Sequence, residues 1–286
     1  MDERFLSRLE CLTSDNLDEH IFELYSENAP PSNLGFLNKS VDTIAVTLPQ
    51  SHTQLQINQS ISQLSTRTTT STTGFICWQV SVYLADWLLS DTCPIKLKKS
   101  YKVLELGAGV GGICASTLAS KVGHYIATDQ KHILKLLKQN IAANAGNFHS
   151  STITVDTTSK KIPSRKLNAP TIIDVVEFDW EDIERGKYNL SQVAGEQRVE
   201  VVIACDTIYN EYLVEPFTNA MKALLTTPGS IAVVAVQLRD AVTMEHFVSA
   251  LVSDSRLSVF TFPRHLLSEE LQIGFEVYCV KLSGSS

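Results

Sequence analysis

The segment Glu105-Leu106-Gly107-Ala108-Gly109-Val110-Gly111 holds the residue types and spacing most able to do chemistry. It joins two apolar runs and reads as the turn from a strand into a helix. Glycine is needed where the backbone takes unusual dihedral angles or must approach a ligand closely. A helix start adds unpaired N–H groups and positive potential, which suit a carboxylate. Glu105, ahead of the glycines, offers a partner to an ammonium group on the same ligand. The spacing is GxGxG, although Gly112 makes the dinucleotide pattern GxGxxG true as well. The glycines alone therefore leave two ligand classes open. A nicotinamide cofactor has no cation near that point, so Glu105 favours S-adenosylmethionine, held at Gly107, Ala108, Gly109 and Gly111.

In open α/β sheets the ligand lies beyond the carboxyl ends of the strands. Asp129 closes the next apolar run, where an acidic side chain can accept from ribose hydroxyls. A helix cap before Ile133 is the structural alternative. A third strand ends in Glu177-Phe178-Asp179-Trp180. There Asp179 could accept from an adenine amino group, and Trp180 or Phe178 could pack on the ring. A cap and a core aromatic are the alternatives. A fourth strand ends in Ala204-Cys205-Asp206-Thr207-Ile208-Tyr209. It is expected beside the first, which sets Ala204 and Cys205 against the cofactor. Asp206 and Tyr209 then hold the substrate, as catalytic residues.

These ends must be positioned by a regular framework. From residue 101 strands and helices alternate. Strands are expected at Val103 to Leu106, Tyr125 to Thr128, Ile172 to Phe178, Val199 to Cys205, Ser230 to Val236 and Gly274 to Leu282. Helices are expected over Gly112 to Ser120, Ile133 to Asn144, Leu213 to Leu225 and His246 to Val252. Such alternation predicts an α/β, doubly wound, mainly parallel sheet with helices on both faces. Upstream, Asp15 to Tyr25 reads as a short helix, and Val41 to Leu48 with Leu55 to Leu64 as a β-hairpin. Ser65 to Thr73, almost all Ser and Thr, reads as a flexible loop before an apolar helix carrying Trp78, Val82 and Trp87. Residues 147–170 read as a polar insertion with Lys160, Lys161, Arg165 and Lys166, either a solvated loop or a substrate or RNA contact.

Composition limits the partners. Of 286 residues, 44% are hydrophobic and 19% charged, which supports a real core and excludes a mostly disordered chain. The net charge of −7 disfavours holding nucleic acid by charge alone. The six cysteines form no CxxC pair and no zinc spacing, so no metal is expected and the thiols read as buried and reduced. No signal peptide and no membrane span are legible. The expectation is a soluble, cytoplasmic protein.

Four segments together resemble the seven-β-strand protein lysine methyltransferases, methyltransferase family 16. They are Thr73-Gly74-Phe75-Ile76-Cys77-Trp78, the loop at 105–112, Asp129, and ACDTIY at 204–209, which resembles the D-x-x-Y motif of that family. The resemblance implies a seven-stranded Rossmann-like methyltransferase domain over 73–286, preceded by a 1–72 extension with the hairpin and helix. It implies S-adenosylmethionine as cofactor, with Trp78 lining its pocket. It further implies methyl transfer to a lysine of a protein substrate, and a narrower likeness to fungal members of the family that act on ribosomal proteins implies a large-subunit ribosomal protein of the L1 type; a monomer that touches no membrane and holds no nucleic acid stably is expected. Methyl transfer to nucleic acid or to a small molecule is the alternative. Against the former, Asp206-Thr207-Ile208-Tyr209 lacks the prolines of amino-group methylases, and Cys205 follows Ala204 rather than a proline.

Overall fold

A computed structural model describes residues 3–28, 30–64, 73–144, 146, 151–154, 171–195 and 198–283. The N-terminal part supplies β1 (Glu10–Leu12), α1 (Leu17–Glu27), β2 (Thr43–Thr47), β3 (Gln54–Asn58) and the helical turn α2 (Ile61–Leu64). Next come α3 (Gln79–Leu89), β4 (Lys102–Leu106), α4 (Ile113–Leu118), β5 (His124–Asp129) and α5 (Leu134–Ala143). They are followed by β6 (Ser151–Thr154), β7 (Thr171–Glu177), α6 (Ile183–Ala194) and β8 (Val201–Cys205). The chain closes with α7 (Val214–Leu224), β9 (Ile231–Gln237), α8 (Ala241–Val252), β10 (Leu257–Thr261), α9 (Glu269–Gln272) and β11 (Phe275–Leu282).

The main sheet runs β1-β10-β11-β9-β8-β4-β5-β7-β6. All pairings from β9 to β6 are parallel, while β11 runs antiparallel to both β9 and β10. The seven strands from β10 to β7 form the mainly parallel Rossmann-like sheet expected from the sequence. β1 and β6 each add a strand at an edge. The order reverses at β4, whose neighbours are β5 and β8, and this reversal opens the crevice at the carboxyl ends.

Parallel strands covered on both faces must be apolar on both. Every residue of β4, β8 and β9 is buried. Alternate residues feed two separate cores. Val103, Val201, Ile203 and Val233 pack on one side, and Leu104, Val202, Ala204 and Val234 on the other. Trp87 anchors α3 in the first: it is fully buried, its indole N–H donates to Leu266 O at 2.8 Å, and its ring meets Phe262 edge-on. Leu17 and Leu24 of α1 join the second, with Phe247 of α8.

The hairpin β2–β3 is a separate two-stranded sheet, and α5 holds it. Asn140 accepts from Asn58 N–H at 2.8 Å and donates to Asn58 O at 2.7 Å; Asn144 does the same with Gln56. Two side-chain amides thus substitute for a neighbouring strand. Asn140 also donates to Val110 O at 2.7 Å, which links the hairpin to the glycine loop.

Several expected boundaries shift. The second hairpin strand stops at Asn58, and Ile61–Leu64 is helical. α8 begins at Ala241, because Asp240 caps it by accepting from Thr243 N–H. α6, capped in the same way by Asp182, was not legible as an apolar stripe, since only Gly186 and Leu190 are buried. The loop expected at Ser65 to Thr73 lies outside the described residues except for Thr73 itself. Of the expected 147–170 insertion, Ser151–Thr154 forms β6; Lys160, Lys161, Arg165 and Lys166 lie outside the described residues.

Candidate active site

The carboxyl ends of β4, β5, β7, β8 and β9 surround a cleft of about 310 Å³, within the usual range for small-molecule sites. Its lining includes Trp78, Gly107, Ala108, Gly109, Gly111, Asp129, Asp179, Trp180, Cys205, Asp206 and Tyr209. Two residues expected at the cofactor, Glu105 and Ala204, do not line it.

The glycine loop is built for close approach. Gly107 sits at φ +71°, and a Cβ there would stand 3.0 Å from the Trp180 ring and from the Thr207 methyl. The loop is braced from both sides. Ala108 N–H donates to Thr128 O, Val110 N–H to Gly74 O, and Gly109 N–H to the Asp129 carboxylate at 2.8 Å. Gly74 therefore ties the segment before α3 to the loop.

Glu105 lies beneath the loop. Its carboxyl accepts from Tyr125 Oη at 2.8 Å, and burial pushes its pKa up to about 7. Cys114 and Cys205 face each other at 3.6 Å beside it, and all three side chains are buried. Burial also pushes the Cys77 thiol up to about 12, so this cleft-lining cysteine stays protonated and inert.

Asp129 is partly exposed to the cleft. Its oxygens accept from Gly109 and Gln130 N–H, leaving lone pairs on each. Withdrawal from bulk water, the largest cause, raises its pKa to about 6. Asp179 accepts from Gln130 Nε2 at 3.1 Å, and Trp180 rests edge-on against Phe217. Asp129, Asp179 and Trp180 thus line the cleft beyond β5 and β7.

Beyond β8, Asp206 has φ +55°, a left-handed conformation uncommon outside glycine and a frequent mark of functional sites. Its carboxylate is almost wholly buried and is gripped by both prongs of the Arg239 guanidinium, at 2.7 and 2.6 Å. The Arg239 guanidinium lies 5.6 Å from the centre of the Trp78 ring. Tyr209 Oη accepts from Thr73 Oγ1 at 3.0 Å, and Trp78 Nε1 donates to Thr73 O at 3.1 Å.

Sequence reasoning missed Arg239 and the segment 33–37, of which Leu34 lines the cleft. The signal for Arg239 was present, because it stands two positions past the end of β9 and strand ends are where ligands bind. Leu34 had none. It stands in the short run Leu34-Gly35-Phe36-Leu37, which matches no regular period.

Glycine loop, acidic strand end and D-x-x-Y segment thus share one cleft. The family model described as lysine methyltransferase matches residues 54–254. The chain belongs to the lysine methyltransferase family. It is an S-adenosylmethionine-dependent enzyme that methylates lysine. The chain is similar to the ribosomal lysine N-methyltransferase 5 of Lachancea thermotolerans, at 28% identity over 88% of this chain and 93% of that one. It is also similar to the protein of the same name from Zygosaccharomyces rouxii, at 28% identity over 86% and 91%. The cleft fits the cofactor of the family. The cradle at Gly107 is open only because no Cβ fills it, and Asp129 keeps acceptor capacity toward the cleft.

Proposed function

We propose that this lysine methyltransferase modifies a ribosomal protein, an L1-type protein of the large subunit, acting as a monomer in the cytoplasm. The observation that carries the reading is the similarity, over most of both chains, to proteins named ribosomal lysine N-methyltransferase 5. Among the described residues no helix is long and apolar enough to cross a membrane.

In this reading Gly107, Ala108, Gly109 and Gly111 hold the amino-acid end of the cofactor. Glu105 supports that loop from below rather than touching the ligand. Asp129 takes the ribose, Asp179 and Trp180 the adenine, and Trp78 and Cys205 line the remaining wall. Bound S-adenosylmethionine supplies a methyl group on a sulfonium, which an uncharged amine takes by in-line displacement.

A free lysine has a pKa of about 10.4, so the enzyme must bring the amine in without its proton. Desolvation in the cleft favours the neutral form, and the proton leaves to water. Asp206 orients the amine through the lone pair Arg239 leaves on Oδ2. Tyr209 walls the alkyl stem. No general base is assigned, and alignment is the main catalytic task.

The test is transfer of radiolabelled methyl to extract from cells lacking the enzyme, with mass spectrometry of the labelled band. The expected result is methyllysine on an L1-type ribosomal protein. Label confined to nucleic acid would reject a protein acceptor; label on an unrelated protein would reject the ribosomal target.

A further inference from the structure

The cleft has one wall that the reading above leaves without a role. Residues 33–37 cross its mouth beside Asp206, and hydrogen bonds or ring contacts tie each one down. Gln237 Nε2 donates to Asn33 O at 2.9 Å, and Arg239 Nη2 donates to Leu34 O at 3.0 Å. Gln79 N–H donates to Gly35 O at 2.8 Å, and Leu37 N–H to Cys77 O at 3.0 Å. The Phe36 ring lies on Trp78, with centroids 4.6 Å apart. Gly35 takes φ +87°, and a Cβ there would overlap Gln237 Oε1. Only glycine lets this strap lie so low.

The strap is on the acceptor half of the cleft. Leu34 itself is anchored by Arg239, which follows β9 and grips Asp206, while Gly35 to Leu37 rest on Cys77, Trp78 and Gln79 at the start of α3; the glycine loop, Asp129 and Asp179 follow β4, β5 and β7. Leu34 is the one strap residue that lines the cleft, yet it is 60% exposed. A leucine whose backbone carbonyl is pinned at the rim of the cleft has its attachment point fixed and its side chain left uncovered. A polypeptide delivering a lysine to Asp206 must lay the residues beside that lysine across this rim.

We propose that Leu34 is a specificity-determining residue, packing against an apolar side chain next to the target lysine. Arg239 is the positioning residue that ties the strap to Asp206. The inference rests on a protein acceptor entering beside Asp206, and it is independent of which protein that is. Burying apolar surface at the rim favours acceptors that carry an apolar neighbour, and a charge placed at Leu34 would be desolvated against it.

The experiment takes as probe the protein band that the wild-type enzyme labels in extract from cells lacking it, purified in unmethylated form. Leu34→Asp is expected to raise the KM for that protein about tenfold, a size typical of one lost apolar contact. Its kcat and its affinity for S-adenosylmethionine in calorimetry should stay at wild-type values, and Leu34→Met should restore the KM. Gly35→Val, which lifts the strap, should raise KM and lower kcat together. An unchanged KM in Leu34→Asp, or a loss confined to cofactor affinity, overturns the proposal. If the purified band is not ribosomal, the target assignment falls while the KM comparison still decides the role of Leu34. If the wild-type enzyme labels no protein, both fall.

Discussion

Arg239 meets Asp206 fork to fork, Nη1 on Oδ1 at 2.7 Å and Nη2 on Oδ2 at 2.6 Å. The carboxylate of the D-x-x-Y motif is therefore not a bare anion awaiting a lysine. It enters the cleft already balanced, with its direction fixed by a planar partner. Geometry rather than net charge is what Asp206 offers the amine.

Asp206→Ala should retain S-adenosylmethionine affinity in calorimetry and lose roughly 10²-fold or more in methyl transfer, because misplacement of one reactant costs that much. Asp206→Asn keeps the shape and separates charge from packing. Turnover at the wild-type rate in both variants would remove Asp206 from the mechanism.

The same pair should be coupled in stability. Arg239→Met leaves a buried carboxylate without its partner, and Asp206→Asn relieves that cost. A double-mutant cycle by denaturant unfolding is expected to show roughly 1–3 kcal/mol of interaction. An additive cycle would mean that the ion pair is held by its surroundings alone.

Gly107→Arg should abolish binding of S-adenosylmethionine, since even a Cβ at this position stands 3.0 Å from the Trp180 ring. Calorimetry reads the outcome directly, and circular dichroism checks that the sheet persists. Normal affinity would place the cofactor elsewhere.

Glu105 gives a pH dependence. Its folded pKa of about 7 lies above the reference value of 4.5, with burial as the largest cause. The folded state then holds this proton more tightly than the unfolded chain. Stability from this group is fully present below the reference value and is lost as pH rises toward the folded one. Relative to Glu105→Gln, the wild type should lose about 3 kcal/mol between pH 4 and pH 8. Parallel urea-midpoint curves for the two proteins would show that Glu105 does not titrate in this range.

Trp87→Ala should destabilise the fold by about 3–5 kcal/mol, the cost of deleting a fully buried aromatic side chain. Trp87 contacts Leu266 and Phe262 and does not line the cleft, so residual folded enzyme should keep its affinity for cofactor. A loss below about 1 kcal/mol would mean that the surrounding core collapses onto the space.

The sequence by itself determined the central strands of the sheet and most of the residues that line the cleft at their ends. β4, β5, β7, β8 and β9 were legible because parallel strands buried on both faces are continuous apolar runs, and the antiparallel β11 because its first six residues are buried as well. Gly107, Asp129, Asp179 and Asp206 were legible because a chain running through such a sheet exposes side chains to a ligand at strand ends. The tertiary structure alone decided the rest. β1 spans only Glu10–Leu12, too short to carry a period, and its strand character comes from pairing with β10. The depth of Glu105 beneath the loop depends on Tyr125 from the neighbouring strand. The balance of Asp206 depends on Arg239, 33 positions away, and the strap at Leu34 on a contact across 205. Such contacts have no local pattern. They arise when separately specified elements are brought to one end of the sheet, and only there do Asp206, Arg239 and Leu34 become neighbours.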